Sequence, residues 1–149
     1  MLASAYHVGD EPIGINLDRG RLAVLRGGFL PLALRFDQQF ALVEDRIRPA
    51  PERWTVTLTA YWYTIFEQAS QRELLAFHWH PGRERIDFPH LHLGSRILSE
   101  QALAGRHLPT GAIGVPDLLR FLIAELGVAP ERPDWEQVLT EAGAALTES

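Results

Sequence analysis

Residues 54–66, WTVTLTAYWYTIF, constrain the fold more than any other stretch, because apolar and polar side chains alternate through them with the period of a strand. Trp54, Val56, Leu58, Ala60, Trp62 and Phe66 fall on one side, and Thr55, Thr57, Thr59, Tyr61 and Tyr63 on the other. Their β-branched and aromatic side chains suit a half-buried pleated surface. EQASQR then reads as a turn, and ELLAFHWH, residues 73–80, resumes the alternation. Leu75, Phe77 and Trp79 share one side; Leu74, Ala76, His78 and His80 share the other. A hairpin closing with Phe66 opposite Glu73 sets Trp62 against Phe77, Ala60 against Trp79, Tyr61 against His78 and Thr59 against His80. Apolar then meets apolar and polar meets polar.

PGRER, residues 81–85, supplies a second turn and IDFPHLHLG, residues 86–94, a third strand. Pro89 has no N–H to donate, which predicts an edge position or a bulge there. Upstream, IGINLD, RLAVLRG and FLPLALRFD are expected short strands punctuated by RG and GG turns, and residues 37–53 a connection with a helical turn. HLPTGAIGVPD, residues 107–117, breaks the pattern with two prolines and two glycines. Beyond it, VPDLLRFLIAELGV carries Pro116 and Asp117 in its first turn, Leu118, Leu119, Leu122, Ile123 and Leu126 at helical spacing, and Gly127 as a stop. DWEQVLTEAGAAL repeats the design with Asp134 as N-cap. The expected class is α+β: a single domain over 1–149, with an antiparallel meander over 1–106 and two C-terminal helices over 115–149 packed on its apolar face.

The chain has no cysteine, which removes disulfides, thiolate metal sites and cysteine nucleophiles together. All fourteen basic residues are arginine, so no lysine can form a Schiff base or hold a phosphate loop. Residues 115–149 hold seven acids against two arginines and so carry the whole net charge of −5. That leaves the first 114 residues formally neutral and argues against a broadly basic nucleic-acid face. No apolar run reaches the roughly 18–20 residues of a membrane span, and the N-terminus lacks the basic and apolar regions of a secretory signal; no membrane association and a cytoplasmic location are expected.

Four of the six histidines lie between residues 77 and 94, as two His-X-His pairs: His78 with His80, and His90 with His92. Residues two apart on a strand point the same way, about 6.6 Å apart along the backbone, so on neighbouring strands four imidazoles converge on one patch. Three roles fit such a patch. The rings can be amphipathic side chains of a solvent-facing sheet, satisfied by threonine, tyrosine or water. They can bind a divalent transition metal, zinc, nickel, copper or iron, through His78, His80, His90 and His92, with Asp87 and Glu84 adding a carboxylate or orienting a ring. Or they can act without any cofactor as acid and base on a phosphodiester, with Tyr61 in the catalytic set and Arg83, Arg85, Arg96 and Tyr63 contacting the substrate.

HLHLG has a glycine, Gly94, where the nucleotide-binding histidine-triad motif has its third histidine, so that chemistry is set aside. LPTG lacks the following membrane span and basic tail of a sortase signal. The order TAYWYTIF, ELLAFHWHP and FPHLHL, over residues 54–94, resembles the TumE-type toxins of bacterial toxin–antitoxin systems, in which a tyrosine-rich strand and a His-containing strand lead to an fPHxxH-like segment. Here the second histidine comes one position earlier, and the two C-terminal helices are outside the pattern. The resemblance implies a toxin-like ribonuclease, a hydrolase acting on RNA or nucleotide phosphodiesters, and an antitoxin-like protein partner. The acidic helical tail also suits a non-enzymatic interaction module.

Overall fold

The computed structural model describes residues 12–44, 47, 49, 53–82, 86–94 and 107–147. Among them, seven strands form one antiparallel sheet and two helices follow it: β1 (Ile13–Asn16), β2 (Ala23–Leu25), β3 (Leu32–Glu44), β4 (Trp54–Glu67), β5 (Arg72–Trp79), β6 (His90–Leu93), β7 (Leu108–Pro109), α1 (Val115–Ala124) and α2 (Trp135–Thr147). The sheet order is β1-β3-β4-β5-β6-β7, with β2 beside β1 along the outer edge of β3. The fold is therefore α+β with a meander-like sheet and C-terminal helices.

The long β3–β4 hairpin is the spine of the sheet, and it corrects two expectations. Residues 37–44, expected to belong to a connection, continue β3. The register also differs. Phe66 does face Glu73, but a bulge between Ile65 and Phe66 leaves Leu74 as an extra residue, so Ile65 pairs with Leu75, Tyr63 with Phe77, Trp62 with His78 and Tyr61 with Trp79. A second irregularity, between Gln39 and Phe40, leaves Thr59 extra on β4. Each inserted residue exchanges the two faces of its strand beyond that point. Trp54, Val56 and Leu58 therefore lie on the side that Tyr61, Tyr63 and Ile65 continue, and Trp62 lies on the opposite side.

The core follows this corrected pattern. Leu32, Leu34 and Phe36 of β3, Tyr61, Tyr63 and Ile65 of β4, and Leu75 and Phe77 of β5 pack with Leu118 and Leu122 of α1. Tyr61, Tyr63, Ile65 and Leu118 are fully buried, each such large side chain contributing about 1.5–3 kcal/mol. Phe36, Tyr63 and Tyr61 stack in a row across the two strands, with ring centroids 5.1 and 4.7 Å apart. The two phenols stay hydrogen-bonded while buried: Gln38 Nε2 donates to the Tyr63 hydroxyl, and the Ile113 N–H donates to the Tyr61 hydroxyl at 3.1 Å. Burial pushes the Tyr63 hydroxyl up to about 12 and raises that of Tyr61, so neither ionises near neutral pH.

The first helix meets the expectations placed on it, whereas the Asp134 carboxylate, expected to cap the second, accepts from Arg132. Asp117 accepts the Gly114 N–H at 3.1 Å at the start of α1, Phe121 packs edge-on against Phe77, and Gly127 takes a positive φ of 70° at the stop. The chain after α1 is tied back to the β2–β3 turn by Gly28 N–H to Gly127 O and Ala129 N–H to Arg26 O, both 2.7 Å. α2 packs against α1, where Arg120 reaches the Thr140 hydroxyl. No described helix is long and apolar enough to cross a membrane. Pro89 is not at a sheet edge: it immediately precedes β6, which pairs with β5 on one side and β7 on the other. β7 itself lies inside the stretch read as an uninterrupted break.

Candidate metal centre

β5 and β6 pair with His78 opposite His90 and Ala76 opposite His92, so the three rings share one side of the sheet, away from α1. The alternation that puts Leu75 and Phe77 into the core directs His78 and His80 to the other side. The same holds on β6, where Leu91 and Leu93 pack against the core and His90 and His92 alternate with them. The four histidines singled out in the sequence are thus brought together.

A fifth joins them. β7 pairs Leu108 with Leu91 and Pro109 with His90, and Thr110 N–H donates to Pro89 O at 2.8 Å. This places His107, just before β7, with its ring centroid 4.3 Å from His92 and 4.8 Å from His90. His90 occupies the middle: it is fully buried and its ring lies within 5.8 Å of those of His78, His80, His92 and His107. His80 is also buried and lies flat against Trp62, centroids 5.6 Å apart and planes 5° from parallel. That stack exists because the extra residue Leu74 in β5 brings His78 and His80 to the side of the sheet that Trp62 faces.

One nitrogen from each of His78, His90 and His92 lies within 4.8 Å of the other two. Around a tetrahedral ion with bonds of about 2.0–2.1 Å, donors sit roughly 3.4 Å apart, so small side-chain rotations close the set. His90 is already oriented for the purpose. Its Nδ1 lies 2.8 Å from the Phe88 carbonyl oxygen, which can only accept, so Nδ1 carries the proton and Nε2 the lone pair. No carboxylate belongs to this group among the described residues. Asp87 instead accepts the Gly82 N–H at 3.3 Å and shapes the turn after β5.

Burial, together with the neighbouring His92, His90, His80 and His107, lowers the His78 pKa from 6.5 to about 4. The ring is held neutral, the state that binds a metal. Because the unfolded chain binds this proton at about 6.5 and the folded one only near 4, stability should be level above pH 6.5 and fall as pH drops from 6.5 towards 4. The urea midpoint of metal-free protein is therefore expected to be lower at pH 5 than at pH 7.5, with a smaller loss in His78→Ala. Equal midpoints for the native chain at both pH values would contradict the burial of a neutral ring.

The other residues assigned to a site part company with the cluster. Tyr61 and Tyr63, expected beside the histidines, are buried in the core on the opposite face, the consequence of the shifted register. Arg83, Arg85, Arg96 and Glu84 lie outside the described residues. No family model, curated protein or solved structure matches the chain.

Proposed function

We propose that this chain is a transition-metal-binding protein whose centre is built on His78, His90 and His92. The observation that carries this is the convergence of three imidazole nitrogens within 4.8 Å on adjacent strands, one of them oriented by a backbone carbonyl. A donor set of neutral imidazoles suits zinc, copper, nickel, cobalt or ferrous iron, and disfavours magnesium and calcium, which take oxygen ligands. The sheet supplies the pre-organisation, since hydrogen bonds of β5, β6 and β7 fix the backbone beneath every ring.

Acid–base chemistry on phosphodiesters, the activity that the TumE-like resemblance implies, asks for different features. It wants a ring that titrates near the working pH and a phenol within reach of the substrate. His78 titrates far lower, and the Tyr61 hydroxyl is in the core with the Ile113 N–H. The metal-binding role asks for imidazole nitrogens that approach one another, and those of His78, His90 and His92 lie within 4.8 Å.

The test is metal content by mass spectrometry on the full chain purified without an affinity tag, then equilibrated with one equivalent of zinc and desalted. One retained equivalent is expected for the native protein and less than a tenth for the His78→Ala, His90→Ala, His92→Ala triple variant. Equal retention by the two proteins would remove the centre from these residues.

A further inference from the structure

On the premise that the metal binds at His78, His90 and His92, we infer that His107 is its fourth ligand, closing a four-imidazole sphere. The protein then holds a metal ion, and does not expose it for catalysis. Two observations support His107, and the first of them separates it from His80. Its ring is 4.3 Å from His92 and 4.8 Å from His90, both shorter than the 5.8 Å that separates His78 from His90 within the triad. Its Nδ1 is also buried with no hydrogen-bond partner among the described residues, a cost that a metal bond removes.

His80 is the competing candidate, since its Nδ1 is likewise buried without such a partner. Its ring is farther from the triad, 5.6 Å from His90 and 6.1 Å from His78, and the stack on Trp62 fixes its plane. Movement towards the ion would break that stack. His107 belongs to the short β7 segment and approaches the two rings of β6 directly.

The distinction decides the chemistry. Tetrahedral sites with three protein ligands keep a position for water or substrate, and sites with four are closed. With His107 bound, no position remains at which water could become a nucleophile. The centre then suits storage, delivery or structural retention of a transition ion.

Cobalt(II) is the probe, because its visible absorption reports coordination number. The full native chain loaded with one equivalent of Co²⁺ should show the intense bands of a four-coordinate ion, and excess azide should leave them unchanged. In His107→Ala, affinity should fall by at least the roughly 10–100-fold that loss of even an outer-shell partner costs, and azide should now shift the bands by entering the vacated position. His80→Ala should behave as the native protein does. If azide shifts the native spectrum, or if His107→Ala keeps native affinity and azide resistance, His107 is not a ligand, while the three-histidine centre stands. If the native chain binds Co²⁺ no better than the triple variant, both conclusions fall together.

Discussion

Replacing Gly94 with alanine is expected to lower the thermal midpoint more than any other single-methyl addition among the described glycines. Two carbonyls of β5, those of Glu73 and Leu74 at the bulge, lie against Gly94 at the end of β6. Gly94 N–H donates to one of them, Leu74 O, at 2.7 Å. A Cβ at Gly94 would lie 2.0 Å from Glu73 O and 2.9 Å from Leu74 O. These are backbone atoms of a paired strand, so relief requires β5 and β6 to separate. Overpacking of this kind typically costs about 1–3 kcal/mol, and a contact this short belongs at or beyond the upper end. At roughly 2–4 °C per kcal/mol for a chain of this size, a loss of about 3 kcal/mol lowers the midpoint by about 6–12 °C. Gly143→Ala is the control: it lies within α2, nothing approaches within 4 Å of its added methyl, and better helix propensity should stabilise slightly, by about 0.5–1 kcal/mol. Scanning calorimetry on the two variants decides the matter. A Gly94→Ala midpoint within a degree of native would show that the strands do not approach as described.

The same bulge marks where the sequence stops being legible. Alternation identifies β4 and β5 as a hairpin and even the residues that close it, because strand periodicity is imposed by burial on one side. It carries no sign of an inserted residue, since ELLAFHWH reads as one unbroken pattern through Leu74, and WTVTLTAYWYTIF does so through the second insertion, Thr59. The apolar side therefore changes hands unannounced. Tyrosine makes the error easy, because it is apolar enough for a core and polar enough for a surface; Gln38 and the Ile113 N–H settle its place. Gln38 shows the same ambiguity from the polar side, since a buried glutamine serving a buried phenol looks like a loop residue in isolation.

The histidines divide along similar lines. The His-X-His spacing foretells which rings share a face, because that depends only on the two-residue repeat of each strand. His107 stands alone between prolines and glycines, and only its backbone pairing beside β6 brings it to the cluster. Little in the sequence announces that pairing, since Leu108 is followed at once by Pro109, which has no N–H to give a ladder. Gly94, whose presence removed the histidine-triad comparison, turns out to be demanded by the carbonyls of β5.

Zinc should raise the thermal midpoint of the metal-free protein by about 8–16 °C. An ion that binds only the folded chain, at a free concentration near 1,000 times its Kd, stabilises by about 4 kcal/mol. For a chain of this size each kcal/mol moves the midpoint by roughly 2–4 °C. The folded state has the advantage because His78 and His90 are twelve residues apart in sequence and meet only through the β5–β6 ladder. The unfolded chain retains two His-X-His pairs that bind zinc weakly, which trims the gain from its upper limit. His90→Ala should suffer the largest loss of this shift among single variants, since His90 touches all four of the other rings. Its removal also empties a fully buried position, so the informative quantity is the difference with and without zinc for each protein, not the midpoint itself. His80→Ala should keep nearly the whole shift, and a chelator should reverse it in every variant that shows one. Magnesium should produce almost none, because imidazole nitrogens are poor ligands for it. A magnesium shift as large as that from zinc, or an undiminished zinc shift in the triple variant, would place the stabilising ion somewhere other than between these strands.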